Sequence, residues 1–268
     1  MDLEDRRRLA DANASAAFNL VRTHQADPRG GRAFFGGVEA IAVGVQSAFF
    51  NPVLALSPET TRDDIRAAIA WIRARDLPAS VQLRDDLPGD LSREIESLGL
   101  VAGPWREPVM VLDPLPLAPA PPGEVEIRVG QAELCEDLHA AIGSRGTLRQ
   151  LWGSTFLADP RVLVAVAYLD EGPVAAAAAL LSGSTIGIYA VGTLERARRR
   201  GLGRAVTWAA IDAGRTAWNG TIAVLQATEM GMPLYAAMGF EVVARYIAFE
   251  APSETPTPSA PQVAERRP

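Results

Sequence analysis

Three arginines and two glycines lie together in the C-terminal half of the chain, in the run Arg198, Arg199, Arg200, Gly201, Leu202 and Gly203. Because glycine has no Cβ atom, a turn at Gly201 and Gly203 can adopt unusual backbone dihedrals, and an anion can approach its N–H groups closely. If a helix begins there, its dipole favours negative charge at the same N–H groups, and the arginines add fixed positive charge. These residue types therefore predict a cradle for a diphosphate group.

The sequence on either side supplies the elements that would hold such a turn. Residues 185–191 are apolar and rich in β-formers, which predicts a strand, and residues 204–218 carry apolar residues at helical spacing. A G-x-G turn after a strand is a weak signal by itself, because many plain turns need two glycines. Three arginines in a row also fit a solvated face or a nucleic-acid patch.

A second pattern follows in an order that strengthens the first. Residues 222–228 predict another strand, and residues 231–240 contain the phrase L-Y-A-A-M-G-F. Together the two patterns resemble the GNAT superfamily of acyl-CoA-dependent N-acyltransferases, whose phosphate loop reads R/Q-x-x-G-x-G/A and whose later helix reads roughly L-Y-x-x-x-G-F. The residues that fit the two motifs are Arg198, Gly201 and Gly203, and then Leu234, Tyr235, Gly239 and Phe240. The resemblance extends from Glu124 to about Glu250.

This resemblance implies an α+β fold in which helices flank a central mixed β-sheet. Periodicity and turn residues predict the remaining elements of this half as strands at 125–129, 162–169, 174–181 and 241–249, and helices at 131–142, 148–158 and 233–238. The implied activity is direct transfer of an acyl group, acetyl by default, from acetyl-CoA to a primary amine through a tetrahedral intermediate. The implied partners are acetyl-CoA or another acyl-CoA as co-substrate and a small-molecule amine, with no metal.

The resemblance also implies roles for individual residues. The strand that ends at Val191 would present backbone groups to the pantetheine arm, with the amides of Val191 and Thr193 near the thioester carbonyl, where they would stabilise an oxyanion. Arg198 would help to hold the phosphate loop. The diphosphate would be lined, mostly through backbone N–H groups, by Arg199, Arg200, Gly201, Leu202, Gly203, Arg204 and Ala205. The strand that begins at Ile222 would splay away from the preceding strand to admit the arm.

Tyr235 is the candidate catalytic residue. In the superfamily, the tyrosine at this place protonates the departing thiolate or hydrogen-bonds to its sulfur. A phenol with an ordinary pKa near 10 can donate to a thiolate whose conjugate acid has a pKa near 8.5. Leu234 and Met238 share one helix face, and Tyr235 points about 100° away from Leu234, so its hydroxyl can reach a ligand. Packing in the core is the alternative role for Tyr235.

The base that takes the proton of the amine is less visible in the sequence. The strand before the cradle offers Tyr189 and no carboxylate or imidazole, and Glu229 is a candidate that also fits a plain surface glutamate. The missing base leaves open a second function, a non-catalytic protein that binds or senses acyl-CoA. Release of free thiol over a panel of amines would distinguish the two.

Composition limits the other possibilities. The 268 residues carry a net charge of −6, which argues against nucleic acid as the main partner, and all 26 basic residues are arginine. Cys135 is the one cysteine, and we expect a buried, inert thiol; His24 and His139 are expected in surface or capping positions. No apolar run suits a membrane span or a secretory signal, so we expect a cytoplasmic protein without membrane contact, as a monomer or homodimer.

Proline divides the chain. Residues 114–123 are proline-rich and predict a semi-rigid linker between an N-terminal domain, 1–113, and a catalytic domain, 124–250. Residues 251–268 are rich in Pro, Ser and Thr and predict a disordered tail.

The N-terminal domain repeats the order of elements found after residue 185. Strands at 53–56, 79–83 and 108–112 alternate with helices at 63–75 and 91–98. The order suggests a degenerate tandem copy of the same fold, although an unrelated α/β domain would also give it. The connection that corresponds to the cradle, residues 57–64, has three acids and no glycine, which would repel a diphosphate. We therefore expect a catalytically silent half.

Overall fold

A computed structural model describes residues 1–123, 125–170 and 172–252. In these residues the helices are α1 (Leu3–Thr23), α2 (Arg62–Arg73), α3 (Gly89–Ser97), α4 (Cys135–Ile142), α5 (Gly146–Leu151), α6 (Ser154–Leu157), α7 (Leu202–Trp218) and α8 (Met232–Ala237). The strands are β1 (Gly31–Phe35), β2 (Val38–Ala42), β3 (Pro52–Ala55), β4 (Ser80–Arg84), β5 (Val101–Leu112), β6 (Glu126–Gly130), β7 (Val162–Leu169), β8 (Gly172–Ser182), β9 (Thr185–Thr193), β10 (Ile222–Gln226) and β11 (Glu241–Glu250). The predicted tail lies outside the described residues from position 253 on.

The described chain forms two compact units built from interleaved segments. The first unit contains Met1–Met110, Ala227–Met232 and residues 242–252, and the second contains Val111–Gln226 and Pro233–Glu241. The two domains expected from sequence, 1–113 and 124–250, are by contrast each one continuous segment of the chain. The difference arises mainly at β11, which follows α8 in sequence and belongs to the first unit.

The second unit is a mixed sheet in the order β10-β9-β8-β7-β6. Strands β6 to β9 run antiparallel to their neighbours, and β10 runs parallel to β9. Helix α7 makes the crossover between β9 and β10 and packs on β7, β8 and β9, while α4 also packs on β8. The central strand β8 carries a run of five alanines that are fully buried, which suits a strand covered on both faces.

The strands of the first unit lie in the order β1-β2-β3-β4-β11-β5. Strands β1 to β3 are antiparallel, β4 runs parallel to β3, and β11 pairs antiparallel with β4. Helix α2 connects β3 to β4 and buries an apolar stripe, Ile65, Ala68, Ile69 and Ile72, in the core of this unit.

Most predicted elements are present, within a few residues of their predicted ends. The helix predicted at 148–158 is wrong as a single helix, because Trp152 is the C-cap of α5 and Gly153, in an extended conformation, is the N-cap of α6. The helix predicted at 131–142 begins with one 3₁₀ turn, and α4 proper starts at Cys135. Among the described residues, no helix is long and apolar enough to cross a bilayer.

Candidate active site

The predicted cradle is a sharp turn between β9 and α7. Gly201 is the N-cap of α7 and has a left-handed backbone with φ of +76°, and Arg199 is also left-handed with φ of +64°. A Cβ atom at position 201 would lie 3.4 Å from Cγ of Pro122. That distance is ordinary van der Waals contact, so it is the left-handed dihedral that favours glycine at this position.

The backbone N–H groups of the first turn of α7 face no helical acceptor. The amide of Ala205 donates to the Gly201 carbonyl over 3.0 Å, which is the first hydrogen bond of the helix. The preceding amides, from Leu202 to Arg204, therefore have no partner within the helix. Gly201 supplies no side-chain cap, and Arg204 is the charged residue of this turn. Such a terminus can receive an anion.

Gly203 brings three elements together at the cradle. A Cβ atom at this position would lie 3.3 Å from Oγ1 of Thr193 and 3.7 Å from Cδ2 of Leu234. Glycine thus allows the end of β9 and helix α8 to approach the first turn of α7. The Nε atom of Arg198 donates to the Thr193 carbonyl over 3.4 Å, which ties the loop back to the strand it leaves.

A β-bulge interrupts β9 just before the cradle. Gly192 pairs with Ala176 on β8 and Tyr189 pairs with Ala178, so two residues, Ala190 and Val191, face one residue on the partner strand. Ala190 has a left-handed backbone, with φ of +49°. A bulge leaves its extra residue outside the ladder. The amide of Val191 therefore lies where the hydrogen bonding between β8 and β9 is broken.

Strands β9 and β10 pair along only part of their length and then separate into a fork. The parallel ladder joins Ile222 to Thr185, Ala223 to Ile186 and Val224 to Gly187. Beyond these pairs, β9 continues to Thr193 and β10 to Gln226. The splay predicted for the strand at Ile222 is present in this form.

Tyr235 is buried in α8, and 8% of its surface is exposed. Its ring packs edge-on against Phe240, with the ring centroids 5.9 Å apart. Burial raises the pKa of the Tyr235 phenol to about 12. Within the described chain, its hydroxyl makes no hydrogen bond. The ring thus packs as a core residue while its hydroxyl is available to a ligand.

A cavity of about 660 Å³ adjoins the cradle in the second unit. Arg200 and Leu202 line it from the phosphate loop, and Pro122, Arg128 and Tyr168 line it from the linker, β6 and β7. Arg128 stacks over the Tyr168 ring at 4.3 Å and forms an ion pair with Glu126 at 2.7 Å. The structure thus places Arg200 at the edge of a polar cavity.

The two histidines differ in position and burial. His24 is the C-cap of α1, as expected, whereas the surface or capping role expected for His139 is wrong, because 2% of its surface is exposed. The Trp152 carbonyl lies 3.1 Å from Nε2 of His139 and can only accept, so Nε2 carries the proton and Nδ1 accepts from the Ser144 hydroxyl at 2.5 Å. His139 thus fixes the segment around α5. Helical spacing alone does not reveal such a pair of partners.

Cys135 is buried, and burial raises the pKa of its thiol, which fits the inert thiol expected. Glu229, the base candidate, is exposed in the turn before α8. On β9, desolvation raises the pKa of the Tyr189 phenol, so this group is neutral at pH 7. Among the described residues, no group of three or more His, Cys, Asp or Glu side chains could hold a metal ion.

A family model supports the resemblance read from the two motifs. Residues 128–220 match the model described as an acetyltransferase (GNAT) domain. The match contains β9, the cradle and α7, and it ends before the L-Y-x-x-x-G-F segment. A comparison with curated proteins finds no match.

Solved structures share the fold. A GCN5-related N-acetyltransferase from Kribbella flavida superposes with a TM-score of 0.72 at 22% identity, over 92% of this chain and 96% of that chain. A tandem GNAT protein from the clavulanic acid biosynthesis pathway gives a TM-score of 0.59 at 14% identity, over 88% and 89% of the two chains. A GCN5-related N-acetyltransferase from Sphaerobacter thermophilus gives 0.58 at 19%, over 80% and 76%. These likenesses confirm the predicted α+β fold.

Proposed function

Because residues 128–220 match the model of an acetyltransferase (GNAT) domain, we propose that the protein is an acyl-CoA-dependent N-acyltransferase. The finer proposal is transfer of acetyl from acetyl-CoA to a primary amine by direct attack. One observation carries it: the free first-turn amides of α7 lie at the end of the strand that forms a fork with β10. The anion site and the opening for a thioester arm are thus joined by one loop.

The residues at the cradle suit the diphosphate of the coenzyme. The amides of Leu202, Gly203 and Arg204 would donate to phosphate oxygens, because Gly201 at the N-cap offers them no side-chain acceptor. Arg199 and Arg200 add charge from exposed positions, and Arg198 holds the loop through the Thr193 carbonyl. The Ala205 amide already has an acceptor within the helix, so it would contribute least of these residues to binding of the diphosphate.

The bulge in β9 would supply the oxyanion contact. When the amine attacks the thioester carbonyl, negative charge builds on the carbonyl oxygen, and the Val191 amide, released from the ladder, can donate to it. The Thr193 amide, at the end of β9, would be a second contact near the thioester carbonyl. Removal of one such donor typically costs about 3 kcal/mol in the transition state.

Tyr235 would assist departure of the thiolate by hydrogen bonding. With a phenol pKa of about 12, complete proton transfer to a thiolate whose conjugate acid has a pKa near 8.5 is uphill by roughly 5 kcal/mol. A hydrogen bond to the sulfur requires no such transfer. We therefore assign Tyr235 as a donor that stays protonated while charge develops on the sulfur.

The N-terminal unit is proposed to be a silent copy of the same fold. Its order β1-β2-β3-α2-β4-α3-β5 matches β7-β8-β9-α7-β10-α8-β11 element for element. At the start of α2, however, Thr61 and Asp64 form a capping box. The Asp64 amide, which an anion would need, already donates to the Thr61 side chain. The hairpin turn at Gly36 and Gly37 also lies against this terminus, since a Cβ atom at position 36 would meet Asp64 at 2.6 Å.

The test is release of free CoA thiol from acetyl-CoA over a panel of primary amines. An N-acyltransferase releases thiol only when a suitable amine is present. The alternative, a protein that senses acyl-CoA, would bind acetyl-CoA without amine-dependent release. Failure of the purified protein to bind CoA at all would contradict both functions.

A further inference from the structure

Gln226, the last residue of β10, carries a buried hydrogen-bond donor that has no acceptor among the described residues. The Nε2 atom of Gln226 is inaccessible to water and has no hydrogen-bond partner in the described part of the chain. Buried polar atoms are paired in the great majority of cases, and an unpaired one destabilises the folded state. Such an atom at the end of a strand calls for an acceptor from outside the protein.

Gln226 faces the side of the sheet opposite α7. Ile186 points toward α7, because a Cβ atom at Gly214 would lie 2.9 Å from it. Ala223 pairs with Ile186 and therefore points to the same side. Since side chains alternate along a strand, Val224 points away from α7 and Leu225 points toward it. Gln226, two residues after Val224, therefore points away from α7.

The same side carries Tyr189 at the mouth of the fork. Gly187 pairs with Val224, and two residues further on, Tyr189 and Gln226 stand on the two arms that have separated. The bulge with the Val191 amide follows directly after Tyr189. A thioester held in the fork from the cradle on α7 would thus be open to a second substrate from the side of Gln226.

We propose that Gln226 is a specificity-determining residue that binds the acceptor amine, and this inference rests on the proposed function. Its carboxamide N–H would donate to an oxygen of the acceptor, so the preferred substrates are primary amines with a hydroxyl or carbonyl oxygen within a few bonds of the nitrogen. A purely aliphatic amine leaves the donor unpaired and binds more weakly.

The first test measures stability without any ligand. Gln226→Met keeps the length of the side chain and removes the unpaired donor, so it should raise the midpoint of thermal unfolding. The matched control is Gln131→Met in the same unit, where Nε2 donates to the carbonyls of Asp159 and Val162 at 2.9 and 3.0 Å. That variant should lower the midpoint. A decrease for Gln226→Met as well would show a structural amide and overturn the proposal.

The second test compares ethanolamine, glycinamide and propylamine as acceptors, with thiol release as the readout. In the wild type, kcat/KM should be about tenfold higher for the two oxygen-bearing amines than for propylamine, and Gln226→Met should remove this preference while CoA affinity is unchanged. Thiol release with an unaltered preference in the variant would overturn the inference alone. No release from the wild type with any amine would overturn the proposed function and, with it, the inference.

Discussion

Gly201 tests the cradle at the scale of one residue, because the chain contains a matched glycine elsewhere. Gly183, in the turn between β8 and β9, has φ of +59° and open space around its Cβ position. Alanine at either glycine should cost about 1 kcal/mol of stability through the left-handed backbone. At position 201 the strain also turns the loop amides away from the anion, so Gly201→Ala should lower CoA affinity at least tenfold.

The measurement is isothermal titration calorimetry with CoA, beside thermal unfolding of both variants. Gly183→Ala should keep the wild-type CoA affinity within about twofold, since strain in that turn displaces no donor. Equal loss of affinity in the two variants would mean that general destabilisation, and not the geometry of the cradle, weakens binding.

Tyr235→Phe should lower kcat about 10- to 100-fold and leave CoA affinity unchanged. The ring contact with Phe240 is kept, whereas the hydrogen bond to the leaving sulfur is lost. Tyr246→Phe serves as the control, because it removes a buried hydroxyl from the first unit. Steady-state kinetics of thiol release would check both, and wild-type kcat in Tyr235→Phe would contradict the assigned role.

Residues with a fixed local motif were predictable from sequence, and residues defined by distant partners were not. Gly201 stands out because its left-handed turn favours glycine, and Gly203 because a Cβ atom there would lie 3.3 Å from Oγ1 of Thr193. His139 instead depends on Ser144 and Trp152 across a loop. Gln226 is informative only through the partner it lacks, and a sequence does not show an absent partner.

At the scale of elements, α2 and α7 are two versions of one strand-to-helix crossover with opposite N-termini. Helix α7 begins with glycine and carries Arg204 in its first turn, whereas α2 begins with a capping box and carries Asp63 and Asp64. An anion is favoured at the first terminus and repelled at the second. We therefore expect one CoA to bind per chain.

Calorimetric stoichiometry checks this expectation. Replacing Asp63 and Asp64 by Asn should not create a second site, because the hairpin at Gly36 and Gly37 still lies against the terminus. A wild-type stoichiometry of two would contradict the silent role of the first unit. The Gly201→Ala variant should accordingly lose most of the total CoA binding and not half of it.

Element positions were largely predictable because periodicity is a local property. The β9 and α7 patterns gave both elements within two residues at each end. The break at Gly153 was missed, since apolar spacing continues through it. The bulge at Ala190 and the pairing of β11 with β4 were not predictable, because each depends on a partner strand far along the chain.

At the scale of the whole chain, hydrogen bonds join the first helix, α1, to the last described strand, β11. The Tyr246 hydroxyl on β11 donates to the Asp11 carboxylate on α1, and Nε of Arg7 donates to the Val243 carbonyl at 2.7 Å. Arg84 on β4 is 4% exposed and lies 3.5 Å from Asp11. These contacts all lie within the first unit, and the two hydrogen bonds join residues more than 230 positions apart in sequence.

This cluster makes stability depend on pH in a defined direction. Burial raises the pKa of Asp11 to about 6, against the lowering effects of Tyr246 and Arg84. A folded-state pKa above the unfolded value of about 4 means that the folded state binds the proton more tightly. The contribution of Asp11 to the free energy of unfolding therefore rises by about 3 kcal/mol as the pH falls from 6 to 4, and is constant outside that window.

Asp11→Asn removes the titrating group. The free energy of unfolding of the wild type, relative to that of the variant, should therefore rise by about 3 kcal/mol as the pH falls from 6 to 4. Urea denaturation at several pH values measures it, and titrating groups that do not interact with Asp11 cancel in the difference. Tyr246→Phe should move the window to higher pH, because the hydroxyl that lowers the Asp11 pKa is gone. A pH-independent difference for Asp11→Asn would show that this carboxyl titrates alike in the folded and unfolded chain.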